Sequence, residues 1–497
     1  MHRRHFVMGA AAAALARPAA AQATRKPNVL FLMTDQQRGD CVGASGNRVL
    51  HTPHLDRLAN EGVRFSCAYS TTPTCTPARA SLLTGLGPWR HGLLGYSRVG
   101  RKYPVEMPSA MAEAGYYTTG IGKMHWHPQR NARGFHRLLL DESSRQESPE
   151  FRSDYRAWFW SKAPMLDPDV TGISFNDHRA REYALPEELH PTRWTADAAV
   201  SFLEQYQRSE PFFLKVSFAR PHSPYDPPGR WMKRYEDAAL PAASIGRWAE
   251  KYRPRSDDRP ELWHGDLGAA QVRHSRQGYY GSVSFIDEQI GRILEMLERR
   301  GWMEETLILF TSDHGDMTGD HHLWRKSYAY EASAHIPMLM RLPKGLHDAA
   351  RGTVRPEPVE IRDILPTFLD AAGSSRGEGM DGRSMLSLLR RPADWRKWID
   401  LEHDVTYAES NHWSAMTDGK WKYIFHAPDG QEQLFHLSED PGEVHDLASS
   451  TGHEAELRTW RSRLVEHLAP RGEAWVKGGR LALRPKSMKH SPLYPGV

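Results

Sequence analysis

Four short apolar runs, each stopping at a cluster of polar residues, constrain this chain more than any other feature. Val29-Leu30-Phe31-Leu32-Met33 runs into Thr34-Asp35-Gln36-Gln37, and Tyr116-Tyr117-Thr118-Thr119-Gly120-Ile121 leads to Gly122-Lys123-Met124-His125. Phe212 to Phe218 ends at Arg220-Pro221-His222, and Leu307-Ile308-Leu309-Phe310 ends at Thr311-Ser312-Asp313-His314-Gly315-Asp316. Continuous apolar runs of this length suit strands covered on both faces, as in a parallel sheet. A helical stripe lies between them, clearest at Val283, Ile286, Ile290, Ile293, Leu294 and Leu297, and closed by Gly301. This alternation predicts an α/β sandwich with a large, mostly parallel central sheet flanked by helices. Sites in such sheets form beyond the carboxyl ends of the strands. Asp35, Lys123, His125, His222, Asp313 and His314 all fall there and are expected to share one site.

The stretch from about Asp141 to Asp266 is rich in Trp, Arg and Pro. It reads as helix and loop insertions whose aromatic residues, such as Trp158, Trp160, Trp194 and Trp231, either line a substrate mouth or form local core. After Gly373-Ser374-Ser375-Arg376-Gly377 the pattern changes. Trp421 to His426 and Gln433 to Leu437 predict antiparallel strands joined by a turn at Pro428-Asp429-Gly430. A helix follows across Glu454 to Leu468. The expected division is a catalytic domain over 27–375 and a smaller α+β subdomain with an antiparallel sheet over 376–497.

Composition narrows the classes. With 497 residues, 39% hydrophobic and 25% charged, the chain holds enough apolar material for a large core and is neither disordered nor collagen-like. The 65 basic and 61 acidic residues nearly cancel, which excludes a nucleic-acid footprint. Three cysteines, Cys41, Cys67 and Cys75, are an odd count that cannot make a disulfide framework; a Cys41–Cys67 pair stays open, since the sequence gives no geometry for it. Residues 1–23 read as a signal peptide, with Arg3-Arg4 before Phe6 in the twin-arginine manner and a small-residue end at Ala21-Gln22-Ala23. Its apolar run is far shorter than the ~20 residues of a membrane span. A periplasmic or secreted bacterial protein without a membrane span is the expectation.

The segment Cys75-Thr76-Pro77-Ala78-Arg79-Ala80-Ser81-Leu82-Leu83-Thr84-Gly85 carries the chemistry. Pro77 suits a first helical position, and Ala78 to Leu83 propagate until Gly85 stops the helix. Cys75 is then expected just ahead of a helix N-terminus, where free N–H groups and the dipole favour an anion and lower a thiol's pKa. Arg79 lies one turn on, within reach of a negative oxygen or sulfur.

This segment resembles the signature of the formylglycine-dependent sulfatases of the alkaline phosphatase superfamily. Gly122-Lys123-Met124-His125, Arg220-Pro221-His222-Ser223-Pro224, Gly319-Asp320-His321-His322-Leu323-Trp324-Arg325-Lys326 and Glu439-Asp440-Pro441-Gly442-Glu443 also resemble sulfatase blocks. The resemblance spans about residues 27 to 450. It implies an alkaline-phosphatase-like sandwich and a maturation enzyme that oxidises Cys75 to formylglycine. It also implies one divalent cation, commonly Ca²⁺, held by Asp35, Asp313, His314 and the matured residue 75. Arg79 and Lys123 would orient the formylglycine hydrate, and His125 would contact the hydroxyl used to release sulfate. His222 and Lys326 would hold the sulfate oxygens and assist the leaving group, with His321 lining the same pocket. The implied substrate is a sulfated small molecule or glycan.

One departure stands out. Many sulfatases follow the first strand with two acidic residues, whereas here Asp35 is followed by Gln36. Gln36 can still ligate a cation through its carbonyl oxygen but brings no charge. The Asp-Gln pair also resembles phosphonate monoester and phosphodiester hydrolases of the superfamily. The expectations are therefore a sulfatase acting on a carbohydrate or aryl sulfate, a phosphorus-ester hydrolase on the same scaffold, or a non-catalytic exported binder that never receives the aldehyde.

Overall fold

The structure is a computed structural model that describes residues 26–496, so the expected signal peptide lies outside the described residues. Its centre is an eight-stranded sheet. In chain order the strands are β1 (Asn28–Asp35), β2 (Val63–Phe65), β3 (Tyr117–Gly122), β4 (Arg137–Leu140), β5 (Phe212–Pro221), β6 (Thr306–Ser312), β7 (Met338–Arg341) and β8 (Thr353–Arg355). Their spatial order is β4-β3-β5-β1-β6-β7-β2-β8. The first five are mutually parallel, and β7 alone runs against its two neighbours. The four runs expected as strands are thus β3, β5, β1 and β6, side by side.

Their lack of polar alternation has a direct cause, because each face of the sheet meets a separate apolar layer. Val29, Phe31 and Met33 point into one layer with Phe213, Leu307 and Leu309. Leu30 and Leu32 point into the other with Leu214, Ile308 and Phe310. The second layer is closed by two helices, Pro191–Gln205 and Gly268–Arg299. The latter carries the expected stripe from Ile286 to Leu297 in its second half, and Gly301, at φ 68°, turns the chain out. Ile364–Ala371 packs on the first layer through Ile364, Leu365, Phe368 and Leu369.

The smaller antiparallel sheet joins Ile399–His403, Trp413–Thr417, Trp421–His426 and Glu432–His436 in that order. Helix Glu454–Leu468 covers it through Trp460, Leu464 and Leu468. Of the aromatic residues between 141 and 266, Trp194 packs with Tyr155 and Phe159 as a satellite core that Trp158 and Trp160 flank. All three cysteines are free thiols and buried. No helix among the described residues is long and apolar enough to cross a membrane.

Candidate active site

Cys75 opens the helix Cys75–Thr84, and Thr74 is its N-cap. The helix therefore starts earlier than Pro77 suggests, and Pro77 occupies its third position. The reason is that the first turn's N–H groups have no helical acceptor, so the missing proline N–H costs nothing there. The first helical bond runs from Ala78 N–H to Thr74 O, 3.0 Å. Gly85, at φ 69°, ends the helix as expected.

This helix brings Cys75 and Arg79 against the carboxyl ends of the parallel strands. Arg79 is fully buried and forks between two carboxylates, donating from Nε to Asp313 Oδ2 (2.8 Å) and from Nη2 to Asp35 Oδ2 (2.9 Å). Its Nη1 donates to the Lys123 carbonyl at 2.7 Å. Lys123 Nζ lies 2.6 Å from Asp35 Oδ2. One carboxylate, Asp35, therefore faces two cations, and a third sits across the thiol. Lys326 Nζ donates to Cys75 Sγ (2.9 Å) and Gln36 Oε1 (3.0 Å) and meets His222 Nε2 at 2.9 Å. These three acceptors use the three ammonium protons.

The histidines have defined roles by their outer bonds. His222 Nδ1 meets the Ser223 carbonyl at 2.9 Å, so that nitrogen carries the proton and Nε2 accepts from Lys326. His314 Nδ1 meets the Gly315 carbonyl at 2.9 Å in the same way. Its Nε2 then faces Cys75 Sγ at 3.2 Å and lies 3.6 and 3.9 Å from Asp313 and Asp35 oxygens. His125 Nε2 is 3.4 Å from Tyr96 Oη, and its Nδ1 is buried without a partner. Four residues around the cluster hold left-handed backbone, Gln36 (φ 71°), His125 (59°), Arg325 (66°) and Ser327 (83°). Each costs ~1–2 kcal/mol, strain that clusters where side-chain aim matters.

The field follows from this company. Burial opposes ionisation of Asp35, but the Lys123, Arg79 and Lys326 cations outweigh it and hold the carboxyl well below its usual range. Burial and Asp35 push the Cys75 thiol up, yet Lys326, His314 and Lys123 prevail and bring it down to about 6. Burial and then Lys326 depress His222 strongly, which keeps it neutral. Burial also works against His314, but Asp313 and the Cys75 thiolate hold it above its ordinary value.

Asp35, Cys75, Asp313 and His314 present ligand atoms within 4.8 Å of one another, all buried. Two carboxylates, an imidazole with its far nitrogen tied down and the nearby Gln36 carbonyl suit a divalent cation of oxygen preference. His321 stands apart. Its Nδ1 accepts from Gly246 N–H, and its ring packs on Trp248 (4.4 Å) and Tyr330 (5.4 Å). Among the described residues no bond joins it to Cys75, Lys326 or their neighbours. The fold also brings in two residues that the motifs did not flag. The loop after β4 supplies Glu142, whose Oε1 accepts from the Met124 and His125 N–H groups (2.9 Å each), and Arg145. The signal for them was a fifth strand end, Arg137-Leu138-Leu139-Leu140 before Asp141-Glu142.

Fold and site together define a class: a hydrolase of anionic esters built on the alkaline-phosphatase-type sandwich. The chain belongs to the sulfatase family, whose family model matches residues 27–374, and it is a sulfuric ester hydrolase. A second family model, N-sulphoglucosamine sulphohydrolase, C-terminal, matches residues 319–469. The chain is similar to an arylsulfatase of Clostridium perfringens, 37% identical over 470 residues that cover 92% of this chain and 97% of that protein. It is 30% identical to a choline-sulfatase of Rhizobium meliloti over 459 residues, 86% of this chain and 83% of the relative. The crystal structure of a phosphonate monoester hydrolase of Agrobacterium radiobacter superposes with a TM-score of 0.76 at 25% identity, covering 92% of this chain and 99% of the other.

Proposed function

We propose that the enzyme hydrolyses a carbohydrate or aryl sulfate ester through a formylglycine formed from Cys75, with one divalent cation beside it. The observation that carries this reading is the helix-borne Cys75, ringed by Asp35, Asp313 and His314 on one side and Lys326 on the other. Its Sγ stands where the formylglycine oxygens would lie. Such a hydrate supplies one oxygen to attack sulfur and a second whose deprotonation expels sulfate. A hard cation, Ca²⁺ by family resemblance, would be held by Asp35, Asp313, His314 and residue 75 with Gln36 at the edge, and would neutralise negative charge there.

The chain's own residues do the rest. Arg79 fixes both carboxylates and the Lys123 carbonyl, so the anionic floor does not shift as charge moves. Lys123 and Lys326 are fixed ammonium groups positioned for the oxygens of a transferring sulfate. Lys326 is also the hydrogen-bond neighbour of His222, whose neutral Nε2 accepts from it, so the Lys326 ammonium is the proton-bearing member of the pair that can protonate the leaving oxygen. His125, neutral and with a free Nδ1, is suited to accept the proton whose loss releases sulfate.

The test is turnover of an aryl sulfate by protein produced with a maturation enzyme. Cys75→Ala should lose activity by orders of magnitude while its thermal melt stays within a few degrees; retained activity would sink the reading. The mass of the tryptic peptide Phe65–Arg79 supplies an independent check, because conversion leaves it lighter. A second reading, phosphonate monoester hydrolysis, is supported by Gln36 in place of a carboxylate and by the phosphonate hydrolase neighbour. The ratio of kcat/KM for an aryl sulfate to that for a matched aryl phosphonate monoester discriminates them.

A further inference from the structure

Arg145 is a cation for which nothing already described has a use. It lies five residues beyond β4, on the loop whose Glu142 clamps the Met124-His125 backbone. Its own N–H donates to the Glu142 carbonyl (3.2 Å), and its carbonyl accepts from Gln129 Nε2 (3.3 Å). The guanidinium lies over the Phe175 ring, 5.0 Å from centroid to Cζ. Among the described residues it donates no side-chain hydrogen bond and meets no carboxylate within ion-pair distance, and Nη1 is shut off from solvent with no acceptor.

Arg79, Lys123 and Lys326 each have an anionic neighbour in the cluster. Arg145 has none, although its charge reaches them. Together with burial it is the leading cation that holds Lys123 and His125 below their ordinary values. Against burial, the half-buried guanidinium is held charged by the Cys75 thiolate, Asp35 and Glu142, none of which it touches, so its donors stay unspent in the free protein. Its fork and the aromatic plate beneath it match a planar or tetrahedral oxyanion. The reacting sulfate already has Lys123 and Lys326, so the unspent donor calls for a different group.

We propose that Arg145 and Phe175 form an anion subsite beside the reacting centre, and that the substrate carries a second oxyanion besides the sulfate that is cleaved. This rests on the sulfatase reading, since it names the substrate class of that same site: an acidic molecule bearing a carboxylate or a further sulfate. One charge-assisted hydrogen-bonded pair is worth ~1.5–3 kcal/mol, or at least about tenfold in affinity.

Unreactive sulfonates test the subsite by calorimetric titration of the mature protein, with benzenesulfonate as the monoanion. The two dianions are 3-sulfobenzoate and benzene-1,3-disulfonate. Either dianion should bind about tenfold tighter than benzenesulfonate or better, and the stronger of the two identifies carboxylate or sulfate as the preferred group. Arg145→Gln should erase that advantage while changing benzenesulfonate binding by less than about threefold. Arg145→Lys, with the charge but not the fork, should fall between them. Wild-type protein that does not discriminate, or Arg145→Gln that weakens all three probes alike, overturns the proposal. Failure to turn over any aryl sulfate defeats the sulfatase reading instead and leaves this binding comparison intact.

Discussion

Arg79 is the most heavily committed side chain in the site, donating to Asp313, Asp35, the Lys123 carbonyl and the Ser217 hydroxyl. A lysine there keeps the charge but cannot span both carboxylates. Arg79→Lys therefore strands a buried carboxylate oxygen, which costs ~1–3 kcal/mol. It should lower the melting temperature and cut kcat by about 10²-fold or more; wild-type kcat would show the fork to be dispensable. Lys326 gives a second residue-scale expectation. Its ammonium is the leading cation that brings the Cys75 thiol down to about 6. In unmatured, metal-free protein with Cys41 and Cys67 replaced by Ser, thiolate absorbance should titrate near that pH. Lys326→Met removes the cation that stabilises the thiolate, so the midpoint should move upward; an unmoved midpoint would assign the effect to His314 and Lys123.

At the scale of elements, strand ends and helix starts do the positioning. Pro53–Glu61 has no capping side chain of its own at Thr52; Asp287, from the long helix Gly268–Arg299, accepts from the His54 and Leu55 N–H groups instead. Burial pushes this carboxyl up to about 7. Between the ordinary aspartate range and that value the folded chain binds a proton that the unfolded chain does not, so this group's contribution falls as pH rises through the window. The melting temperature of Asp287→Asn should therefore gain on wild type from pH 5 to pH 8, and a constant difference would contradict it. The same elements show what sequence reading reaches. The runs β1, β3, β5 and β6 were legible because both faces are apolar, and Asp35, Lys123, His222, Asp313 and His314 because they follow such runs directly. β4 escaped because it is four residues long, begins with exposed Arg137 and buries only Leu140. Arg145 escaped with it. The register of Pro77 was misread because a proline is equally free at any position of the first turn, so the residue alone does not mark which.

At the scale of the molecule, the C-terminal sheet touches the site through main chain. Ser327 follows Lys326, and its carbonyl accepts from Trp413 Nε1 (3.1 Å) and Asn411 Nδ2 (3.2 Å). Ser327 N–H donates to Pro73 O at 2.9 Å, and its hydroxyl pairs with Thr74 beside Cys75. Trp413→Phe keeps the ring and loses the donor, and kcat/KM should fall about tenfold, ~1.4 kcal/mol of barrier, with secondary structure unchanged. These long-range pairings left no trace in local pattern, because nothing near Trp413 in the chain announces its partner. Tyr328, Tyr330 and Ala334 also share one apolar cluster with Ile399, Trp413 and Phe435, and Lys422 is gripped by Glu331 and Glu443. Unfolding followed by tryptophan fluorescence and by far-ultraviolet dichroism should accordingly give one coincident transition.

The Ser327 carbonyl has a consequence for how such enzymes can be recombined. A crossover near residue 376 keeps the central sheet whole but gives Ser327 a stranger's sheet to hold it. A crossover before Gly319 keeps that grip but hands β7 to a foreign β6 and β8 to a foreign β2. Neither seam spares both joints, so the two lobes cannot be traded as spare parts, and a working hybrid would need Trp413, Asn411 and the Ser327 strap to come from the same parent.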